Sequence, residues 1–503
     1  MPQKMIVIAA ISFSVAFATG PTMAEENMDS IRSGILSAKR INTVAAEASP
    51  AGRLIIGRGN DYVPIAEDHT ALFAKLRDSM QERRLAGWRI VEQMLQPEIL
   101  EINGEKLEIP RWHTWYEGSF NPSEGEFVTK FKTYFADLKA CKADPDCKDT
   151  KEEIAKRTMD NQNAVKNFAR TLTTENFTQL LGQSRVLAKR TEETLGRGFT
   201  LYSPSFIEHV LVQSDGIEGC RHDSMSHTPA DQAPPSADQF SHCINEFPRS
   251  AVMVKTSWGE LGGNNRRIAY SDTTPVELSK VMDATGDGTW NTNQRTNPSP
   301  SEIYTVETTD GKRYGLNAIH FSTKDVREWV WVSLWWHPAP DTDFGEDRPA
   351  SIANRNQGVW KNYKMCVTSA FLEGDPEPWK SYSTSHPLLA AALKTSHEEV
   401  TKHAASSSDT ALTSWCSNPI LEHHDGNART NCIGCHQHSN TFNPTTSRPT
   451  EFNDTFNKAL DALYPQYGRS RARQNFPSDF SWGFQMEFKS QIACAKDSSQ
   501  CSN

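Results

Sequence analysis

The stretch WVWVSLWWH, residues 329–337, limits the folds open to this chain more than any other. At a strand's period of two, Trp329, Trp331, Ser333, Trp335 and His337 fall on one face, and Val330, Val332, Leu334 and Trp336 on the other. Both faces are apolar, so the strand belongs inside a sheet that is covered on both sides. One covering of that kind needs a long chain, and 503 residues are enough for two or three domains.

The surrounding sequence supplies partners for the strand. AVMVKTSW, residues 251–258, alternates like a strand, and EIYTVETTDGKRYGLNAIHF reads as a hairpin turning at Asp310-Gly311. The earlier part of the chain has a helical period instead. EDHTALFAKLRDSMQERRLAGWRIVEQML places Leu72, Phe73 and Leu76, then Trp88, Val91 and Leu95, on one stripe that Pro97 ends. NGEKLEI suggests a short hairpin or strand, and FVTKFKTYFADL is helical, with Phe127, Phe131, Tyr134 and Leu138 as its core stripe. Late in the chain, SHPLLAAALKTSHEEVTKHAA reads as a helix.

The first residues point to export. Lys4, the apolar run Met5 to Ala18 and the small residues around Ala24 match a secretory signal, and no later apolar run is long enough to span a membrane. A periplasmic or secreted location is therefore expected. Ten cysteines in that compartment should not be free. Nearness suggests the pairs Cys141/Cys147, Cys220/Cys243, Cys366/Cys416 and Cys494/Cys501, with Cys432 and Cys435 left over. The net charge is −9 and no basic block dominates, which speaks against a nucleic-acid partner.

The two remaining cysteines lie in TNCIGCHQHSN. Cys432-x-x-Cys435-His436 is the attachment pattern of one covalent c-type haem. Two thiols at this spacing add to the two vinyl groups of the porphyrin, and the next residue offers an imidazole to the iron. A redox Cys-x-x-Cys and a metal site of Cys432, Cys435, His436 and His438 are the alternatives. Met486, the only methionine after the motif, is the first candidate for the second iron ligand; His423, His424, His337 and His320 are others. Separately, DATGDGTWNTNQ sets Asp283, Thr285, Asp287, Gly288 and Asn291 at calcium-loop positions, but Gln294 stands where a bidentate Glu is expected. A glycine-rich turn fits this segment better than calcium.

WHTWYE, EFPRSAVMVKTSW, WVWVSLWWHPAP with DFGEDRP, WKNYKM, and NPILE with NCIGCH together resemble exported bacterial cytochrome c family proteins with a single C-terminal CxxCH. A weaker likeness, at Phe247, Pro248, Ala251, Val252, Val254 and Lys255, is to the β-fold c′-type cytochromes, some of which oxidise hydroxylamine; Ser250 departs from their usual glycine. That likeness implies a β-rich haem domain. In the enzymes of that group a lysine cross-links the haem; the role is not carried to Lys255, since a lysine on a strand ordinarily faces solvent.

The chain thus reads as α+β, a helical N-terminal region followed by a β-rich domain that carries a C-terminal haem segment. Residues 1–24 form the signal, 25–200 the mainly helical region, 201–360 the β-rich core, and 361–503 the helix and loop segment that holds the haem. The expected function is electron transfer with a redox partner protein. The alternative is a peroxidase-like oxidoreductase or small-ligand binder with an open iron site, His337 being the first acid–base candidate and one face of the tryptophan strand lining the haem pocket.

Overall fold

The structure, a computed structural model, describes residues 35–37, 53–54, 61–102, 105–117, 126–160, 197–220, 223–224, 243–262, 268–283, 285–286, 288–291, 294–307, 313–370, 373–404, 415–422, 426–429, 431–443, 448–449, 476–483 and 488–501. The fold is α+β around a largely antiparallel sheet. Its strands are β1 (Tyr116–Glu117), β2 (Arg197–Tyr202), β3 (Val252–Leu261), β4 (Thr305–Glu307), β5 (Arg313–Thr323), β6 (Val330–Trp336) and β7 (Tyr363–Thr368). The order runs β1-β2-β3-β5. The far edge of β5 is shared by β4 near its start and β6 near its end, and β7 lies outside β6. The hairpin expected between β4 and β5 is present, although its tip at Asp310-Gly311 lies outside the described residues.

Every residue of β6 is buried, as two apolar faces require. Its two faces look into different cores. Val330, Val332, Leu334 and Trp336 join Val254, Phe321 and Met365 in one core, with Ile90, Val91 and Met94. Trp331 and Trp335 join Trp415, Cys432, Ile433 and Phe480 in the other. The first core is closed by helices α1 (His69–Asp78) and α2 (Met80–Met94). The amphipathic stripe foreseen there is buried at Leu72, Leu76, Trp88, Val91 and Leu95, but one continuous helix is not what forms. Ser79 is extended, at φ −147°, and its hydroxyl accepts from the Glu82 amide, starting a second helix.

Helices α3 (Glu126–Ala143), α4 (Lys151–Asp160), α5 (Pro204–Val212) and α6 (Pro387–Ala404) complete the coat of the second core, where Phe131 and Tyr134 are buried as expected. The region read as NGEKLEI is an antiparallel hairpin of Pro97–Ile102 and Glu105–Pro110. All four cysteine pairings foreseen from nearness are made, Cys366–Cys416 among them. No helix among the described residues is long and apolar enough to cross a membrane. The segment read as a signal lies outside the described residues.

One buried acid makes the fold pH-sensitive. Glu328, in the turn between β5 and β6, is 2 % exposed, and burial pushes its carboxyl up to about 7, with only partial relief from Lys324 and Arg327. A carboxyl raised above its unfolded value, about 4.3, favours the folded state while protonated and loses that advantage as pH rises to about 7. At 1.36 kcal/mol per unit, stability should drop by about 4 kcal/mol across that window. Glu328→Gln should flatten that fall in a urea titration at several pH values; an unchanged slope would rule the assignment out.

Candidate haem-binding site

Helix α7 (Cys432–His436) is a single turn, started by Asn431, whose side chain accepts from the Gly434 amide at 2.8 Å. Helical spacing brings the two thiols to one side and the imidazole just beyond. Cys432 and Cys435 are the two cysteines that form no disulfide. His436 Nδ1 lies 2.9 Å from the Phe480 carbonyl. A carbonyl can only accept, so Nδ1 carries the proton and Nε2 keeps its lone pair, the orientation a metal-binding histidine takes. Burial pushes the imidazole down to about 4, further lowered by nearby Lys255 and partly restored by the Phe480 carbonyl, so it stays neutral. Burial also raises the Cys432 thiol well above its usual range, and Glu422 adds to this.

The Phe480 carbonyl is held in place by strain and by its neighbour. Asp479 and Phe480 have φ of 44° and 69°, unusual for residues with side chains. The Asp479 carboxylate is wholly buried and anchors the loop. It accepts from the Phe247 amide at 2.9 Å, Lys324 Nζ at 2.7 Å and Trp329 Nε1 at 3.2 Å.

The sheet meets this turn with a polar row. Thr200, Lys255, His320, Ser333 and Cys366 are register partners across β2, β3, β5, β6 and β7. The segment before the motif docks on that row. Cys416 bridges to Cys366. Asn418 Nδ2 donates to Ser333 Oγ at 2.8 Å and to the Leu334 carbonyl at 3.0 Å, while its Oδ1 accepts from the Ile420 and Leu421 amides at 2.8 and 3.0 Å. All four hydrogen-bonding positions of a buried amide are thus used. Glu422 follows. One carboxylate oxygen accepts from the Asn418 amide at 2.7 Å; the other lies 3.6 Å from Cys432 Sγ and 3.9 Å from His320 Nε2. Burial pushes Glu422 up to about 7, against the pull of the Asn418 amide and Lys255.

Lys255 is exposed on β3, as a strand lysine ordinarily is, yet it lies close enough to Glu422, Cys435 and Cys432 to interact with their charges. Loss of water lowers its pKa, and Glu422, Cys435 and Cys432 counter this in part. His320 is also driven well below the usual imidazole range by burial, then by Lys255 and His436. Lys255, His320 and Glu422 therefore form one titratable group beside the motif. The placing of Glu422 beside Lys255 does not show in the local pattern, because the segment that carries it comes from more than 150 residues further on.

The other candidates are placed differently. His337 is not brought to the motif: it lies six residues beyond Trp331, about 20 Å along an extended chain. Its Nδ1 accepts from the Ala339 amide at 3.0 Å, and Nε2 lies 3.1 Å from Asp272. From the tryptophan face, Trp331 alone touches the motif histidine, with ring centres 4.4 Å apart. Met486, His423 and His424 lie outside the described residues, as does Asp287 of the calcium-like loop. In that loop, Arg429 donates to the carbonyls of Asp283 and Gly286, the latter at 2.8 Å. The turn thereby grips the chain three residues before Cys432. Among the described residues no three His, Cys, Asp or Glu side chains are grouped to hold a metal ion by themselves, so the site Cys432, Cys435, His436 and His438 finds no support. Comparison with family models, with curated proteins and with solved structures finds no match for the chain.

Proposed function

We propose that the chain is an exported c-type cytochrome that holds one haem through Cys432 and Cys435, with His436 as iron ligand, and that it acts as a peroxidase-like oxidoreductase on a small oxidant. Two unbridged thiols one helical turn apart, beside a neutral histidine with a fixed tautomer, fit that cofactor. When bound, the haem would supply the electron chemistry. The chain's own contribution is proton handling and enclosure. The observation that carries the enzymatic reading is the set of titratable groups Lys255, His320 and Glu422 gathered beside the motif. An enzyme that cleaves an oxygen bond needs a group with a pKa near neutral to deliver a proton. Glu422, at about 7, meets that need.

The test begins with optical spectra of the oxidised and reduced protein, with and without carbon monoxide. An open, carbon-monoxide-sensitive iron is expected. Glu422→Gln should lower the rate of reaction with peroxide by about 10²–10⁴ with no change in haem content, the usual scale for a lost proton donor. An unchanged rate would remove Glu422 from the proton path.

A second reading, electron transfer, rests on His320 Nε2, a buried nitrogen with no hydrogen-bond partner. If it were the second iron ligand, the reduced spectrum would ignore carbon monoxide. His320→Ala would then open the iron, and Met486→Ala would not.

A further inference from the structure

We propose that Trp331 and Trp329 form a one-electron route from the haem motif to the protein surface at His209; the proposal rests on the peroxidase-like reading above. Ring contacts link these groups in sequence. His436 and Trp331 have centres 4.4 Å apart, Trp331 and Trp329 6.3 Å, Trp329 and Phe247 5.6 Å, and Phe247 and His209 4.6 Å. The indoles are sealed from water at 2 % and 0 % exposure, whereas His209, on α5, is partly exposed.

Packing alone accounts for aromatic rings in a core. It does not account for a tryptophan at φ 65°, a conformation that bulky residues avoid. Trp329 shares a hydrogen bond with Asp479, itself at φ 44°, and the next residue, Phe480 at φ 69°, orients the motif histidine. Three strained residues thus fix the second indole and the imidazole through one loop. Strain of this kind persists where the surroundings over-determine a geometry, and it gathers at working sites.

The charges beside Trp329 offset one another. Lys324 lies 5.6 Å over its ring, while the Asp479 carboxylate accepts from its indole nitrogen at 3.2 Å and also pairs with Lys324. Trp331 touches the motif histidine, and its indole nitrogen donates to the Glu328 carbonyl at 2.8 Å. The oxidised state therefore forms first on Trp331, and Trp329 bridges outward. The balance is as follows. Hydrogen peroxide takes two electrons and two protons and becomes two water molecules. The bound haem would supply one of these electrons and Trp331 the other, its indole becoming a radical cation. Two successive one-electron donations at the surface restore both.

The experiment uses the haem-loaded protein, freeze-quenched after one equivalent of hydrogen peroxide and read by electron paramagnetic resonance. The wild type should give an organic radical whose pattern narrows with ring-deuterated tryptophan. Trp331→Phe should lower its yield at least about tenfold, and Trp331→Tyr should restore a radical of tyrosyl pattern. Trp329→Phe should keep the yield but slow the reduction of the radical by ferrocyanide about tenfold. Undiminished indole radical in Trp331→Phe, or unaltered ferrocyanide kinetics in Trp329→Phe, overturns the route while leaving the haem reading intact. If Trp331→Phe does not fold, the change from indole to tyrosyl pattern in Trp331→Tyr decides. A wild type without covalent haem, or one inert to peroxide, overturns both readings, and its optical spectrum shows this before any variant is made.

Discussion

Replacing Cys432 and Cys435 together by alanine should abolish covalent haem without unfolding the protein. The fold has little stake in these thiols. Neither bridges to another cysteine, and the four disulfides that brace the chain involve other residues. The turn that carries them is started by Asn431 and held by His436 and the docked 415–422 segment, none of which the double substitution removes. The expected result is a circular dichroism spectrum near that of the wild type and a denaturing gel with no haem stain. Either single substitution should leave one thioether and shift the reduced absorption band, because one vinyl group stays conjugated. Haem that survives denaturation in the double variant would end the c-type assignment.

Arg84→Ala should be among the most destabilising substitutions in the chain, at about 3–5 kcal/mol. Arg84 is 1 % exposed, and each of its three guanidinium nitrogens donates a hydrogen bond. Its guanidinium makes a two-point contact with Asp347, at 2.6 Å for each bond, and donates to the carbonyls of Met365 at 2.7 Å and Phe344 at 2.9 Å. It therefore pins α2 to β7. Removing it would leave Asp347, 7 % exposed, as a buried charge answered by the Trp88 indole and, less directly, by Arg348. That orphaned charge, more than the lost attraction, sets the cost. Arg84→Met with Asp347→Leu should then recover most of the loss, since the two apolar side chains strand no charge. Chemical denaturation of the three proteins gives the comparison. A loss below about 0.5 kcal/mol for Arg84→Ala would place it with ordinary surface changes and refute the account.

What could be read from the sequence was local. The period of two in β6 and β3 predicted strands, and the double apolar face of β6 predicted its burial. The CxxCH motif predicted its own short helix. The break at Ser79 also had a local sign, Ser79 with Glu82 three residues on, but the continuous apolar stripe masked it. Lys255 shows the limit. Alternation along β3 separates its neighbours correctly into two faces, but the late segment decides that Glu422 and the motif cysteines come to lie beside it. Glu422 and the Phe480 carbonyl are likewise set by contacts far apart in sequence, and a carbonyl leaves no mark in a residue pattern.

Because the two sides of β6 serve two different cores, the CxxCH motif does not mark a cassette. Lys255, His320, Trp331, Glu422, His436 and Phe480 are spread over more than 200 residues and meet only on the assembled sheet. A fragment with the motif alone would carry the thiols and the imidazole but not the wall against which they are arranged. The smallest piece that could be transplanted or inherited with its chemistry intact is the whole sheet with both of its coats.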